Sequence, residues 1–157
     1  MKSHSHIPMR IVGTVSSGLG RAHVFMSQPH YQSQFKRILG MTAWPGTLNL
    51  TVEGESLQNQ LALRNLAGLS KDGDTNNVNV EGIEAKKVEG FMRDGVSFGA
   101  ATAYHANIVV EGDDISCAVL IPDLTRHVDV VEVIAGIFLR EHLDLVDGDV
   151  MELSLKR

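Results

Sequence analysis

The sequence predicts a mainly β protein, a small β-barrel with a few short helices. Short segments rich in β-branched and apolar residues recur along the chain, and segments containing glycine, asparagine and aspartate separate them. Few segments show helical spacing of their apolar residues. Strands and helices also do not alternate regularly, which favours a small barrel over a doubly wound parallel sheet.

The length and composition are those of one globular domain. The 157 residues are enough to bury a core, and 43% of them are hydrophobic while 21% are charged. No apolar run approaches the ~20 residues that a membrane-spanning helix needs. We therefore expect a flexible arm over residues 1–8 and a single domain over residues 9–157, located in the cytoplasm and without membrane contact.

The charge and the cysteine content argue against further classes of protein. The formal net charge is −5 at pH 7 and no basic stripe is present, so we expect no nucleic-acid partner. The single cysteine, Cys117, lies in an apolar run, which excludes a disulfide framework and a cysteine-rich zinc site. Its neighbours predict a buried side chain rather than a nucleophile.

The elements before the first candidate site are two strands and a helix. Residues 9–15 are rich in β-branched side chains and predict a strand, and residues 23–27 are interpreted as a strand that returns. Apolar residues at helical spacing predict a helix over residues 29–40, which begins at Pro29 and ends at Gly40.

The elements after the first candidate site are mostly strands. Alternating or continuous apolar runs bounded by turns predict six strands, and leucine-containing segments predict two short helices. The predicted strands cover residues 78–83, 85–91, 98–110, 115–121, 128–135 and 150–155. The predicted helices cover residues 57–66, where a covering segment without helix is the alternative, and residues 137–143.

The segment over residues 44–52 carries the first candidate site. A Pro-Gly turn leads directly into an alternating strand, where Thr47 and Asn49 lie two residues apart and so point to the same face. Leu48 then points to the opposite face, as a core requires. Two neutral oxygen-bearing side chains behind a rigid turn can hold a hard cation and the phosphates that it carries. An ordinary edge strand shows the same pattern, so the residues leave both interpretations open.

Residues 16–22 form a second candidate site, an anion-binding loop. Two glycines and two serines permit close approach of the backbone and offer amide donors. The loop lacks the Gly-Lys-Ser/Thr of a Walker A motif, and no long helix follows as a dinucleotide-binding fingerprint requires. A hairpin turn accounts for the same residues.

Four polar residues near the end of the chain form the third candidate group. Glu132 lies within an apolar run, where a carboxylate must face water, find a partner or act in a site. Thr125 and His127 precede this strand, and histidine is a general base by type. Arg140 can bind a phosphate or pair with a nearby acid. Outward-facing strand and surface residues explain the same four positions.

Several motifs follow one another along the chain in a specific order. They are Gly13-Thr14-Val15-Ser16-Ser17-Gly18-Leu19-Gly20, Pro45-Gly46-Thr47-Leu48-Asn49-Leu50, Val131-Glu132-Val133-Ile134-Ala135, Leu139-Arg140 and Asp147-Gly148-Asp149. In this order they resemble the archaeal-type CTP-dependent riboflavin kinase family. Residues 53–96 match that family poorly.

The resemblance implies a six-stranded cradle-loop (RIFT-type) β-barrel that transfers the γ-phosphate of CTP to the 5′-hydroxyl of riboflavin, giving FMN and CDP. It implies Mg²⁺ as the cofactor, held by Thr47 and Asn49. It implies flavin contacts for Thr125 and Glu132, and Glu132 is our candidate catalytic base. The implied nucleotide-binding residues are Thr14, Val15, Ser16, Ser17, Gly18, Leu19, Ile137, Phe138, Leu139 and Arg140.

Two departures from the family leave alternative functions open. Gly136 stands where the family usually has a proline, and the stretch over residues 125–132 is one residue shorter. These departures motivate a non-catalytic flavin- or nucleotide-binding barrel as the alternative. A DNA-binding regulator is a third interpretation, because related cradle-loop barrels include transcription factors, and the acidic charge opposes it.

Overall fold

The computed structural model describes residues 7–18, 22–69, 75, 77–125 and 127–157, and for Asp113 only the backbone. Most of the predicted arm therefore lies outside the described residues. The described part contains nine strands: β1 (Met9–Ser16), β2 (Leu48–Thr51), β3 (Lys86–Val88), β4 (Phe91–Arg93), β5 (Val96–Phe98), β6 (Ala101–Val110), β7 (Asp113–Pro122), β8 (Val130–Ile134) and β9 (Val150–Leu155).

The same residues form four helices: α1 (Ala22–Met26), α2 (Pro29–Leu39), α3 (Gly54–Leu66) and α4 (Leu139–His142). The predicted bounds of α2 are confirmed, because Pro29 occupies the first turn, where its missing N–H has no cost. Gly40 ends α2 with a φ of 80°, and its N–H donates to the carbonyl of Lys36. No helix in the described part is long and apolar enough to cross a membrane.

Six antiparallel strands close into a barrel. Their order is β6-β7-β8-β2-β1-β9, and the pairing of β9 with β6 completes the ring. Closure pairs the edges of the sheet and confirms the predicted six-stranded barrel. Strand β3 pairs with the first residues of β6 and lies outside the ring. Strands β4 and β5 form a separate hairpin.

The barrel interior is filled by alternate residues of the strands. On β1, Met9, Ile11, Gly13 and Val15 are buried, and on β9 Leu153 and Leu155 are buried, while the residues that alternate with them are more accessible. This period of two places one apolar set inside the ring. Cys117 belongs to the same interior cluster, which confirms that it is buried.

A second apolar cluster lies on the outer face of β6, β7 and β8. Ala103, Leu120 and Ile134 point outwards there and pack with Tyr31 and Phe35 of α2. The sheet is therefore buried on both faces in this region. This explains why β7 reads as a nearly continuous apolar run rather than an alternating one.

Two predicted strands are absent from the described structure. Residues 23–27, interpreted as a strand, belong mainly to α1, where Ser27 N–H donates to the carbonyl of His23 at 3.1 Å. Residues 78–83 form turns, because the Asn79 side chain accepts a hydrogen bond from the amide of Glu81 and Gly82 adopts a φ of 81°. Local turn chemistry outweighed the β-branched residues in this second segment.

Candidate active site

Three neighbouring strands bring the candidate residues into one row. Ser16 at the end of β1 lies opposite Asn49 of β2, and Asn49 lies opposite Glu132 of β8. Residues directly opposite in antiparallel strands point to the same face of the sheet. The structure therefore places the glycine-rich loop, the predicted metal ligands and the predicted base side by side on the outer face of the barrel.

The side chains of Thr47 and Asn49 lie on the same face of the chain, as the alternation predicts. The Thr47 hydroxyl donates to Asn49 Oδ1 at 2.9 Å, and Leu48 between them is buried in the interior cluster. The hydroxyl and the amide carbonyl are hard oxygen donors that suit Mg²⁺. The described residues contain no group of three or more His, Cys, Asp or Glu that could hold a metal ion. Any cation at this pair thus relies on neutral oxygens and on groups that a ligand brings.

The glycine-rich loop packs directly on Asn49. A Cβ at Gly18 would collide with the side-chain nitrogen of Asn49. Glycine at this position therefore lets the loop backbone reach the predicted metal ligands. Leu19, also predicted to bind nucleotide, lies outside the described residues.

Glu132 points out of the barrel while its neighbours Val131 and Val133 point in and are buried. Burial raises the pKa of the Glu132 carboxyl from 4.5 to about 7. A carboxyl with this pKa can hold or release a proton near neutrality, as a general base must. Glu132 is thus not an ordinary solvent-facing strand residue.

Glu132 lines a cavity of about 470 Å³ with mostly apolar walls. Thr47 and Thr125 are also part of its lining, so both residues predicted to contact a flavin lie on the same cavity. The aromatic lining residues are Phe25, Tyr31, Phe35 and Phe98. A cavity of this size, with aromatic walls and few polar groups, suits a flat fused-ring ligand.

The cavity wall includes three parts of the chain that are distant in sequence. Phe25 of α1 contacts Phe98 of β5 edge to face, with ring centroids 5.7 Å apart. The Tyr31 hydroxyl donates to the carbonyl of Gly99 at 2.6 Å. Phe98 also stacks on Phe91, which braces the hairpin of β4 and β5. The hairpin, α1 and α2 therefore form one wall.

Arg140 and the glycine-rich loop meet beside the row. Arg140 Nη2 donates to the Ser16 carbonyl at 3.2 Å and lies 2.6 Å from Asp147 Oδ1. The Ser17 hydroxyl donates to Asp147 Oδ2 at 2.7 Å. Hydrogen bonds from Arg140 and Ser17 lower the pKa of the exposed Asp147 carboxyl. Nucleotide-binding residues predicted at the two ends of the chain are thus in contact.

The remaining residues predicted to bind nucleotide differ in what they can offer. The side chains of Val15 and Leu139 are buried, and both main-chain polar groups of Val15 are bonded to residues 148 and 149. Thr14 is exposed on β1. Ile137 and Phe138 are also exposed.

Phe138 forms an aromatic platform with Trp44. The two rings stack at 4.8 Å with an angle of 10°, and 43% of Trp44 and 39% of Phe138 remain exposed. The main-chain N–H of Trp44 donates to the carbonyl of Ala135 at 2.8 Å, which fixes the turn next to β8. An exposed stacked pair can receive a further planar ring.

Gly136 and the shortened loop over residues 125–132, the two places where the sequence departs from the family pattern, have different surroundings. A Cβ at Gly136 would overlap the side chain of Met41, so Met41 fills the space next to this glycine. In the shortened loop, the amide of His127 donates to the Thr125 hydroxyl at 3.3 Å, and His127 is exposed and absent from the cavity lining. The absence of a side chain at Gly136 thus leaves room for Met41, and His127 is not part of the cavity wall.

Sequence reasoning missed three features of the candidate site. Phe25 was interpreted as part of a strand, and the stacking of Trp44 on Phe138 joins segments that no local pattern connects. Asp147 lies in an Asp-Gly-Asp turn, which is also common at ordinary strand ends. The order of the motifs, in which the glycine-rich loop and Asp147-Gly148-Asp149 both appear, was the one available signal for their contact.

A family model matches residues 15–155 of the chain; it is named CTP-dep_RFKase and described as "Domain of unknown function DUF120". Curated proteins named riboflavin kinase are also similar. The protein from Pyrobaculum calidifontis is 36% identical over 148 residues, which cover 94% of this chain and 60% of the relative. The protein from Thermoplasma acidophilum is 32% identical over 139 residues, covering 88% and 54%.

A third relative, from Haloquadratum walsbyi, is 31% identical over 150 residues, covering 94% of this chain and 57% of the relative. The chain thus spans little more than half the length of the curated relatives that it matches.

Proposed function

The chain belongs to the CTP-dep_RFKase family, and from this premise we propose that it is a riboflavin kinase. In the proposed reaction it transfers the γ-phosphate of CTP to the 5′-hydroxyl of riboflavin and releases FMN and CDP. The observation that carries the proposal is the row of Ser16, Asn49 and Glu132. This row joins an apolar cavity to a glycine-rich loop on one face of the barrel.

The cavity is the proposed flavin site. Its aromatic walls suit the flat faces of the isoalloxazine ring, and Thr47, Thr125 and Glu132 supply polar groups for the ribityl chain. Glu132 would then lie against the acceptor hydroxyl and take its proton as the hydroxyl attacks. With a pKa of about 7, a substantial fraction of the Glu132 carboxyl is ionised at neutral pH.

The glycine-rich loop and Arg140 form the proposed phosphate site. Backbone amides near Gly18 and the Arg140 guanidinium supply donors and positive charge for the triphosphate. Phosphoryl transfer depends mainly on positioning and on neutralising charge, which these groups provide.

Thr47 and Asn49 would hold Mg²⁺, which neutralises phosphate charge when it is bound. Two neutral ligands bind the ion weakly by themselves, so we expect it to arrive with the nucleotide.

The direct test is to incubate the purified protein with riboflavin, Mg²⁺ and each of CTP, ATP, GTP and UTP. We expect FMN to form with CTP and to be separated from riboflavin by chromatography. The absence of FMN with all four nucleotides would reject the kinase. Tight binding of FMN or CDP in calorimetry without turnover would instead support the non-catalytic binding barrel.

Trp44 provides a second test, because it is the only tryptophan in the chain. We propose that the nucleobase stacks on the exposed platform of Trp44 and Phe138. Addition of CDP should therefore quench tryptophan fluorescence in a saturable way, and Phe138→Ala should weaken CDP binding about tenfold. CDP binding in calorimetry with unchanged emission would contradict this placement.

A further inference from the structure

The carboxylate of Asp147 joins the two segments that form the proposed phosphate site. Its Oδ2 atom accepts a hydrogen bond from the Ser17 hydroxyl at 2.7 Å, and its Oδ1 atom accepts one from Arg140 Nη2 at 2.6 Å. Ser17 and Arg140 belong to different segments of the chain. Asp147 is the side chain that contacts both.

The turn that carries Asp147 is held in place by its neighbours. Asp149 Oδ2 accepts a hydrogen bond from the amide of Val146 at 2.9 Å, and Gly148 has a φ of 98° that suits glycine. The amide of Gly148 donates to the carbonyl of Val15 at 2.9 Å, and the amide of Val15 donates to the carbonyl of Asp149 at 2.7 Å. The turn is therefore fixed to the end of β1, and the carboxylate of Asp147 is not needed to shape it.

Arg140 is held by two acceptors at one of its nitrogens. Nη2 contacts both Asp147 and the Ser16 carbonyl, and in the described part of the chain no other atom of the guanidinium is bonded. An arginine side chain has five N–H donors in a rigid planar group. Nε and Nη1 thus remain for an anion while Nη2 fixes the orientation of the group.

We propose that Asp147 is a positioning residue, which holds the Arg140 guanidinium and the glycine-rich loop at Ser17 in one arrangement that receives the phosphates of the nucleotide. The inference rests on the proposed function and deepens it, because it assigns a task to a residue outside the predicted site. A carboxylate near a triphosphate also repels it. The sign of the effect of removing Asp147 therefore distinguishes positioning from repulsion.

The test compares Asp147→Ala and Asp147→Asn with wild type in riboflavin phosphorylation. Asp147→Ala should raise the KM for CTP about tenfold, the effect of losing one charge-assisted hydrogen bond, with the KM for riboflavin unchanged within about twofold. The kcat at saturating CTP should also change by less than about twofold. Asp147→Asn should recover most of the loss, because its amide can accept from Arg140 and donate to the Ser17 oxygen.

Glu141→Ala is the matched control, since Glu141 is an exposed acid next to Arg140 in the sequence. It should leave the KM for CTP unchanged. A KM for CTP that is unchanged or lower in Asp147→Ala would overturn the proposal and leave only a repulsive charge. If Asp147→Ala does not fold, Asp147→Ser, whose short hydroxyl cannot bridge both partners, takes its place with the same expectation.

Calorimetry with CDP separates failure of this proposal from failure of the proposed function. If the wild-type protein makes FMN and Asp147→Ala binds CDP as tightly as wild type does, the positioning role is rejected and the proposed function is kept. Wild type that binds CDP without making FMN rejects the kinase, and a tenfold weaker affinity in Asp147→Ala then still supports the positioning role. Wild type that neither binds CDP nor makes FMN rejects both.

Discussion

Glu132→Gln should lower the kcat for riboflavin phosphorylation by about 10²–10⁴-fold, the contribution of a positioned general base. Glutamine keeps the shape of the side chain and cannot accept the proton of the acceptor hydroxyl. The wild-type rate should rise with pH through about 7 as the Glu132 carboxyl ionises, and then level off. This inflection should be absent in the variant, and steady-state rates between pH 5.5 and 8.5 measure both effects.

The pH dependence of stability gives a readout that is independent of turnover. Because burial raises the pKa of Glu132 from 4.5 to about 7, the folded protein keeps a proton that the unfolded chain releases. This contribution to stability is present below about pH 4.5 and is lost as the pH rises through about 7. Glu132→Gln should therefore raise the Tm relative to wild type more at pH 8 than at pH 5.

Glu152→Gln serves as the control for Glu132, because Glu152 is also a glutamate on a barrel strand and lies on β9. It should keep the wild-type rate and the inflection near pH 7. A Glu132→Gln enzyme with a rate within threefold of wild type would show that Glu132 is not the base. Glu132 would then only contribute to binding of the flavin in the cavity.

Thr47→Ala combined with Asn49→Ala should lower Mg²⁺-dependent turnover by about 100-fold or more while the barrel stays folded. The two substitutions remove both proposed protein ligands of the ion. Leu48 still fills the interior cluster, so the Tm should change little. A titration of the initial rate with Mg²⁺ at fixed CTP should show a higher metal requirement in the variant.

The control for the double substitution is Asn107→Ala with Ser116→Ala, a directly opposed amide and hydroxyl pair on β6 and β7. This pair tests whether losing two polar side chains from the sheet is harmful in itself. Wild-type turnover in the Thr47 and Asn49 variant would reject the metal assignment. Equal losses in both double variants would indicate damage to the barrel instead.

The sequence predicted the parts of the fold that local rules determine. The β-branched composition identified β1, alternation identified β9, and Pro29 with Gly40 bounded α2, because these signals depend only on near neighbours in the chain. Alternation also predicted that Thr47 and Asn49 share a face, which their hydrogen bond confirms. Local rules do not determine which strands pair. The row of Ser16, Asn49 and Glu132 on the outer face could therefore be recognised only from the strand pairing in the structure.

The parts that sequence reasoning missed depend on contacts between distant segments. Phe25 lies in a run that suits a strand, whereas in the structure it belongs to α1 and its ring packs against Phe98 of the distant hairpin. The task of Asp147 depends on where Ser17 and Arg140 meet. An aspartate in a turn has many ordinary explanations, and only the folded arrangement shows what both of its oxygens contact.

The position of β2 has a consequence for how the protein folds. This four-residue strand pairs with β1 on one side and with β8 on the other, and both partners are remote from it in the sequence. Such contacts form only after large loops have closed, which makes them late and slow. A partly folded chain therefore has no row of Ser16, Asn49 and Glu132. During refolding, recovery of activity should coincide with closure of the ring and should lag behind the formation of α2 and α3.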